Sequence, residues 1–431
     1  MRKKTLGLFF LLTALAQPFF ARAAFHNGGV GECNGCHTVH RAPSIASGTA
    51  TQSGPYLLRG TDQGSTCLNC HEMVNQSGPS AQYISTPESK MPAGVPPQQM
   101  TPGGDFGWLK KSYRWMSGTA VYTDPGYMHG HNIVAVDYGY TAYPAGSQAP
   151  GGTYPSADLT CISCHDPHGE YRRTSGGSIV IGGTRPCASG SYDTSPDPTQ
   201  ACPVGDYRLL GGIGYQPVSV PGYPFTSGPP AAIAPSIYNR SEAVTQTRVA
   251  YGQGMSEWCA NCHPAFLNAQ PNTPGAYRHP AGNGAKLGLL ARNYNSYVKT
   301  GDFSGTKATS YLSLVPFEEG TSDYTTLKSH AKTDDSYLAG PDGNSNVMCL
   351  TCHRAHASGW DYMLRFDPGG QTFITADPGG QSVWPGIDVP GDASQAMGRT
   401  SAETSRAYYD IPASRFSPWQ RSLCNKCHAQ D

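Results

Sequence analysis

Six times along the 431 residues, two cysteines separated by two residues are followed at once by a histidine. The triads are Cys33/Cys36/His37, Cys67/Cys70/His71, Cys161/Cys164/His165, Cys259/Cys262/His263, Cys349/Cys352/His353 and Cys424/Cys427/His428. This is the attachment signature of a c-type haem, in which the two thiols bond the porphyrin and the histidine ligates the iron. Structural zinc also uses paired C-x-x-C units, but a histidine directly after every second cysteine is not zinc-ribbon spacing. The chain is therefore expected to fold around six large apolar plates.

Composition agrees with that expectation. Only 38% of the chain is hydrophobic, while 52 glycines and 36 prolines make up about a fifth of it. The segments between motifs, such as "YPAGSQAPGGTYP" and "DPGGQTFITADPGG", are dense in turn signals. Loops of that length normally argue against a compact domain. Haems resolve the conflict by standing in for the missing core, with many of the 25 tyrosines packed on them. The expected fold has few secondary structures: a loop-rich multihaem cytochrome with short helices and minimal strand, wrapped around a chain of six haems. No fixed repeat period is evident.

Residues 1–24 combine a basic start (Arg2, Lys3, Lys4), an apolar run from Leu6 to Ala16 and small residues near Ala21 and Ala23, the anatomy of a secretory signal. A membrane anchor fits poorly, because the run is short and Pro18 and Arg22 follow it. Residues 25–431 then form a single hexahaem domain with no membrane span, exported to an oxidising compartment that favours haem attachment over zinc. The signal holds four bases and no acid, so the mature chain carries 26 bases against 30 acids. Haem propionates add further negative charge. No basic stripe suits nucleic acid.

Two cysteines lie outside the motifs. Cys187 and Cys202 bracket a polar, turn-rich stretch, and a disulfide is expected there rather than two idle thiols.

Six irons have twelve axial positions, and the motif histidines fill half of them. His26, His40, His129, His131, His168, His279, His330 and His356 remain for the other six. Methionine is the competing ligand, but histidine is in surplus. His129 and His131 compete for one role, and His131 is preferred because apolar residues follow it; that leaves seven candidates for six places. Three motifs extend to C-x-x-C-H-x-x-H, with second histidines His40, His168 and His356. Side chains at i and i+3 on a helical turn project to one side, whereas two ligands of one iron approach from opposite faces. Each second histidine therefore serves a neighbouring iron, or else none.

Local signals predict a few helices. Ser417-Pro418-Trp419-Gln420 reads as the start of a helix carrying Cys424 to His428, Ser256 as a cap before Cys259, and Ser241 as the cap of a helix through Ala250. Leu287, Leu290, Tyr294 and Tyr297 recur at helical spacing as a packing face.

The stretches "FHNGGVGECNGCHTVH", "MPAGVPPQQMTPGGDFGW", "TQTRVAYGQGMSEWCANCH", "RHPAGNGAK", "CHRAHASG" and "LCNKCHAQD" resemble the OmcS-like extracellular hexahaem cytochromes, which polymerise as nanowires. The resemblance spans the mature chain. It implies six bis-histidine haems in a continuous file, identical subunits joined end to end, and His40 serving a haem of the adjoining subunit. It further implies a secreted or cell-surface conduit that takes electrons from upstream redox donor cytochromes to extracellular acceptors such as metal oxides, with no catalytic residue. Cys187 and Cys202 are not explained by it. The sequence leaves two rivals: a monomeric periplasmic or cell-surface carrier, and a multihaem reductase with an open haem site.

Overall fold

In the computed structural model, residues 33–38, 57–73, 82–183, 186–267, 279–367, 372–390 and 394–431 are described. The signal segment, His26 and His40 lie outside them. Prolines and glycines keep every regular element short. The helices are α1 (Cys33–Cys36), α2 (Gln63–His71), α3 (Met255–Cys259), α4 (Pro264–Leu267), α5 (Leu290–Ser296), α6 (Tyr324–His330), α7 (Cys349–Cys352), α8 (Ser401–Ala407) and α9 (Asn425–His428). Several begin at side-chain caps. Asp62 accepts from Ser65 N at 2.7 Å before α2, and Asp323 from Thr326 N at 2.7 Å before α6. Thr400 and Glu403 form a reciprocal capping box on α8.

Strands occur in small antiparallel groups. β1 (Tyr113–Ser117) pairs with β2 (Ala120–Asp124) across a two-residue turn that places Gly118 at φ 60°. β3 (Tyr171–Arg173) lies between β4 (Ile179–Ile181) and β5 (Val204–Gly205). β6 (Ala232–Ile233) pairs with β7 (Ala250–Tyr251), and β8 (Thr375–Ala376) with β9 (Ser382–Val383). Cys187 and Cys202 are joined by a disulfide, Cα–Cα 5.5 Å, which closes the loop leading into β5. Among the described residues no helix is long and apolar enough to cross a membrane.

The largest apolar cluster gathers Trp108, Leu287, Tyr294, Leu314, Phe373, Trp384, Tyr408 and Leu423. Much else that is buried is polar. Asp105 has no exposed surface and accepts hydrogen bonds from the backbone of Thr86, Gln99 and Gly107 and from the Thr86 hydroxyl. Such a hub organises loop backbone that no ladder would otherwise satisfy.

Three local expectations give way. Residues 241–249 form no helix, and Ala250 begins β7; a run holding Val244, Thr245, Thr247 and Val249 favours extended backbone. Gly254, not Ser256, caps α3, because Ser256 Oγ instead accepts from Cys349 N at 3.0 Å. Ser417–Gln420 closes as a turn with Trp419 at φ 61°, and α9 begins only at Asn425. The packing face of α5 is present at Leu287, Tyr294 and Tyr297, whereas Leu290 is exposed.

Candidate haem-binding sites

Each C-x-x-C-H sits on a short helical turn or at its end, which brings both thiols and the imidazole to one side of the backbone. The cysteines then stand in chain order through space. Cys36 lies within electrostatic reach of Cys67 and Cys70. Cys67 hydrogen-bonds Cys161, and Cys164 neighbours Cys262. Cys259 hydrogen-bonds Cys349, and Cys352 neighbours Cys424 and Cys427. In the loaded protein these thiols stand for thioether sulfurs, so the contacts matter as positions: motif follows motif along one path.

The motif histidines are oriented from behind by carbonyls. Nδ1 of His71 donates to Gln82 O at 2.7 Å, and those of His165, His263 and His353 donate to Arg208, Pro150 and Tyr362 O, each at 2.8 Å. Two histidines outside the motifs are held alike, His131 on Ala355 O at 2.8 Å and His279 on Pro280 O at 2.9 Å. A donor hydrogen bond at Nδ1 fixes the tautomer and leaves Nε2 for a metal. Burial lowers the pKa of His71, His165, His263 and His353, and takes His131 down to about 4 and His356 to about 3, with neighbouring histidines adding to the last two. These rings are neutral at pH 7, as ligation requires.

Facing rings provide the test of fit. His168 lies opposite His37 with centroids 6.5 Å apart, His356 opposite His165 at 6.4 Å, His131 opposite His263 at 6.1 Å and His279 opposite His428 at 6.1 Å. Two imidazoles bound through Nε2 at about 2 Å to one metal ion have centroids roughly 6 Å apart. The residues present therefore fit an iron at each pair. The second histidines of the third and fifth motifs both face the histidine of a different motif. The planes differ in torsion, from 8° at His37/His168 to 88° at His279/His428.

Close backbone approach builds the His356 wall. A Cβ on Gly130 would lie 2.3 Å from His356 O, and one on Gly104 only 1.8 Å from Ala357 O, so only glycine fits either position. His131 N also donates to His356 O at 2.9 Å.

Two histidines are placed elsewhere. His129 is fully buried with Nδ1 on Trp108 O at 3.0 Å and Nε2 on Asp124 at 2.8 Å, which uses both nitrogens. His330, expected as a ligand, stacks on Tyr337 with centroids 4.0 Å apart and pairs through Nδ1 with Glu319. Glu319 also holds Arg248 at 2.9 Å. The groups His330 touches are an aromatic ring and an ion pair rather than a motif histidine. The carbonyl acceptors behind the rings had no side-chain signal to reveal them.

Six C-x-x-C-H turns in file, with imidazoles facing one another at metal-bridging distance, define a multihaem c-type cytochrome. No family model matches the chain. It is 56% identical to the C-type cytochrome OmcS of Geobacter sulfurreducens over 424 residues, 97% of each chain. Two solved structures from that organism, the cryo-EM structure of the OmcS nanowires and the Outer Membrane Cytochrome S filament, superpose with a TM-score of 0.88. Their identities are 55% and 56%, over 94% of this chain and all of theirs. The chain belongs to the OmcS family of c-type cytochromes and binds haem covalently.

Proposed function

We propose that this chain is one length of an extracellular electron conduit: an exported hexahaem cytochrome whose copies join end to end as a filament. It takes electrons from upstream redox donor cytochromes and delivers them to extracellular acceptors such as metal oxides. The observation that carries this reading is the single path of attachment cysteines, from Cys36 beside Cys67 to Cys352 beside Cys424. Each c-type haem, when bound, supplies a one-electron ferric/ferrous couple. The chain does the rest.

Cysteine pairs would anchor each group, and the motif histidines His37, His71, His165, His263, His353 and His428 would each hold an iron. His168 would share an iron with His37, His356 with His165, His131 with His263 and His279 with His428. His26 is assigned to the iron of His71, and His40 to the iron of His353 in the adjoining copy. Two imidazoles for each iron would leave it no open position for a substrate, so the protein would transfer electrons without making or breaking bonds. Residues 25–431 act as one haem-bearing domain after removal of residues 1–24. The filaments of the OmcS relatives support the end-to-end assembly.

Replacing His40 with Ala tests the reading. Six haems remain attached, filaments vanish from electron micrographs, and one haem loses its sixth ligand. Normal filaments with fully low-spin haem would refute donation between copies.

A further inference from the structure

The motifs that carry a second histidine are the first, third and fifth, and the structure gives these three a backbone device of one design. After each of them the chain returns as a strap against the motif histidine. The strap places bulky residues in the left-handed region that glycine favours: Leu57 at φ 58°, Arg208 and Leu209 at 56° and 54°, Tyr362 and Met363 at 56° and 52°. The next residue forms an isolated antiparallel bridge with the motif histidine, Leu58 with His37, Leu210 with His165 and Leu364 with His353.

The hydrogen bonds around the bridge correspond one to one. Thr38, Asp166 and Arg354 N donate to Leu57, Leu209 and Met363 O, each at 2.7 Å. Arg59, Gly211 and Arg365 N donate to Cys36, Cys164 and Cys352 O at 2.9, 2.9 and 2.7 Å. The carbonyl just after the first cysteine is claimed by a side chain each time. Arg59 Nε takes Asn34 O, Tyr215 Oη takes Ile162 O, and Arg365 Nε takes Leu350 O. In the second and third straps the left-handed residue itself, Arg208 or Tyr362, supplies the carbonyl that accepts from the imidazole Nδ1.

Ring pairing keeps the same order. His168 and His356 each reach back to the odd motif before their own, while His131 and His279, upstream of an odd motif, face the even motif after it. We infer that the chain is three tandem copies of one two-haem unit, and that the left-handed strap is the element that positions the proximal histidine of each odd haem. Intervening loops of unequal length hide the repeat in the sequence. His40 occupies in the first unit the place of His168 and His356 in the later two, so a boundary between copies repeats the boundary between units.

The strap acts through backbone conformation, and that makes it testable without touching a ligand. Valine is strained in the left-handed region, whereas glycine enters it freely. Leu209→Val and Met363→Val should turn the Nδ1 acceptor away, weaken the donor character of the imidazole and raise the potential of one haem. In a spectroelectrochemical titration of the exported, haem-loaded protein, about one-sixth of the haem absorbance should move to higher potential in each, while Leu209→Gly and Met363→Gly titrate as wild type. Leu57→Val and Leu57→Gly repeat the comparison at a half-exposed position with little packing to lose. Met73→Val, just after an even motif, should move nothing. A valine variant that fails to mature while its glycine counterpart matures also supports the strap. Glycine variants as damaging as valine, or valine variants with unchanged potentials, would overturn it. The inference rests on the six-haem reading, whose failure would show separately as fewer than six haems per wild-type chain.

Discussion

Glu318 links the fourth and fifth motifs, and its replacement by Gln gives a pH-dependent test of how they are held. Its Oε1 accepts from Met255 N at 2.9 Å, at the start of α3, and its Oε2 from Asn346 Nδ2 at 3.2 Å, just ahead of α7. Those helices carry Cys259 and Cys349, whose sulfurs touch. Burial, with a smaller contribution from Glu257, pushes the carboxyl from its ordinary 4.5 up to about 7. The folded chain therefore holds this proton more tightly than the unfolded chain, and the group's contribution falls as pH rises from 4.5 through 7. At about 1.4 kcal/mol per pKa unit the ionised carboxylate costs roughly 3 kcal/mol above neutral pH. Gln keeps the acceptor for Met255, and a flip of the Asn346 amide, whose Oδ1 has no partner in the wild type, lets it accept from the Gln amide in place of Nδ2 donating. Urea denaturation followed at the Soret band should show Glu318→Gln equal to wild type near pH 4 and more stable by roughly 3 kcal/mol near pH 8. A pH-independent difference, or a less stable variant near pH 8, would refute the reasoning.

The two histidines with contrasting places should behave differently. His356→Ala should leave about one-sixth of the haem five-coordinate and high-spin, whereas His330→Ala should leave every haem low-spin. The latter should cost only about 1–2 kcal/mol in a denaturant titration, because Glu319 retains Arg248. Asp124 joins buried His129 and Arg399 at 2.8 and 2.5 Å, so Asp124→Asn should strand that charge and cost about 3–5 kcal/mol by the same titration. The crossed imidazoles at His279/His428 predict a highly anisotropic low-spin electron paramagnetic resonance signal that His279→Ala removes. The parallel pair at His37/His168 predicts an ordinary rhombic signal that His168→Ala removes.

The chemistry legible in the sequence is the local part. A C-x-x-C-H triad confines two thiols and an imidazole to five residues, so attachment needs no tertiary information. The i, i+3 spacing separates His168 and His356 from their own motif histidines, because helical geometry alone forbids the pairing, and their rings lie opposite His37 and His165. Choosing among lone histidines depends on distant partners. His330 differs from His279 because Tyr337 and Glu319 fold against it, and nothing in "LKSHAK" announces that. The Ser417 capping signature failed for a related reason: Gln420 Oε1 also accepts from Thr300 N at 3.1 Å, which holds the turn instead of opening a helix. The strap left only the short runs Leu57-Leu58-Arg59, Leu209-Leu210-Gly211 and Met363-Leu364-Arg365, whose left-handed backbone is set by the bridge to each histidine and not by residue type.

The continuity of the haem file from one copy to the next is the claim on which the proposed function depends, and a density map of the haem-loaded assembly addresses it most directly. The iron held by His353 should carry His40 of the adjoining copy as its sixth ligand. A map in which that iron is closed by a histidine of its own chain, or left five-coordinate, would contradict the account.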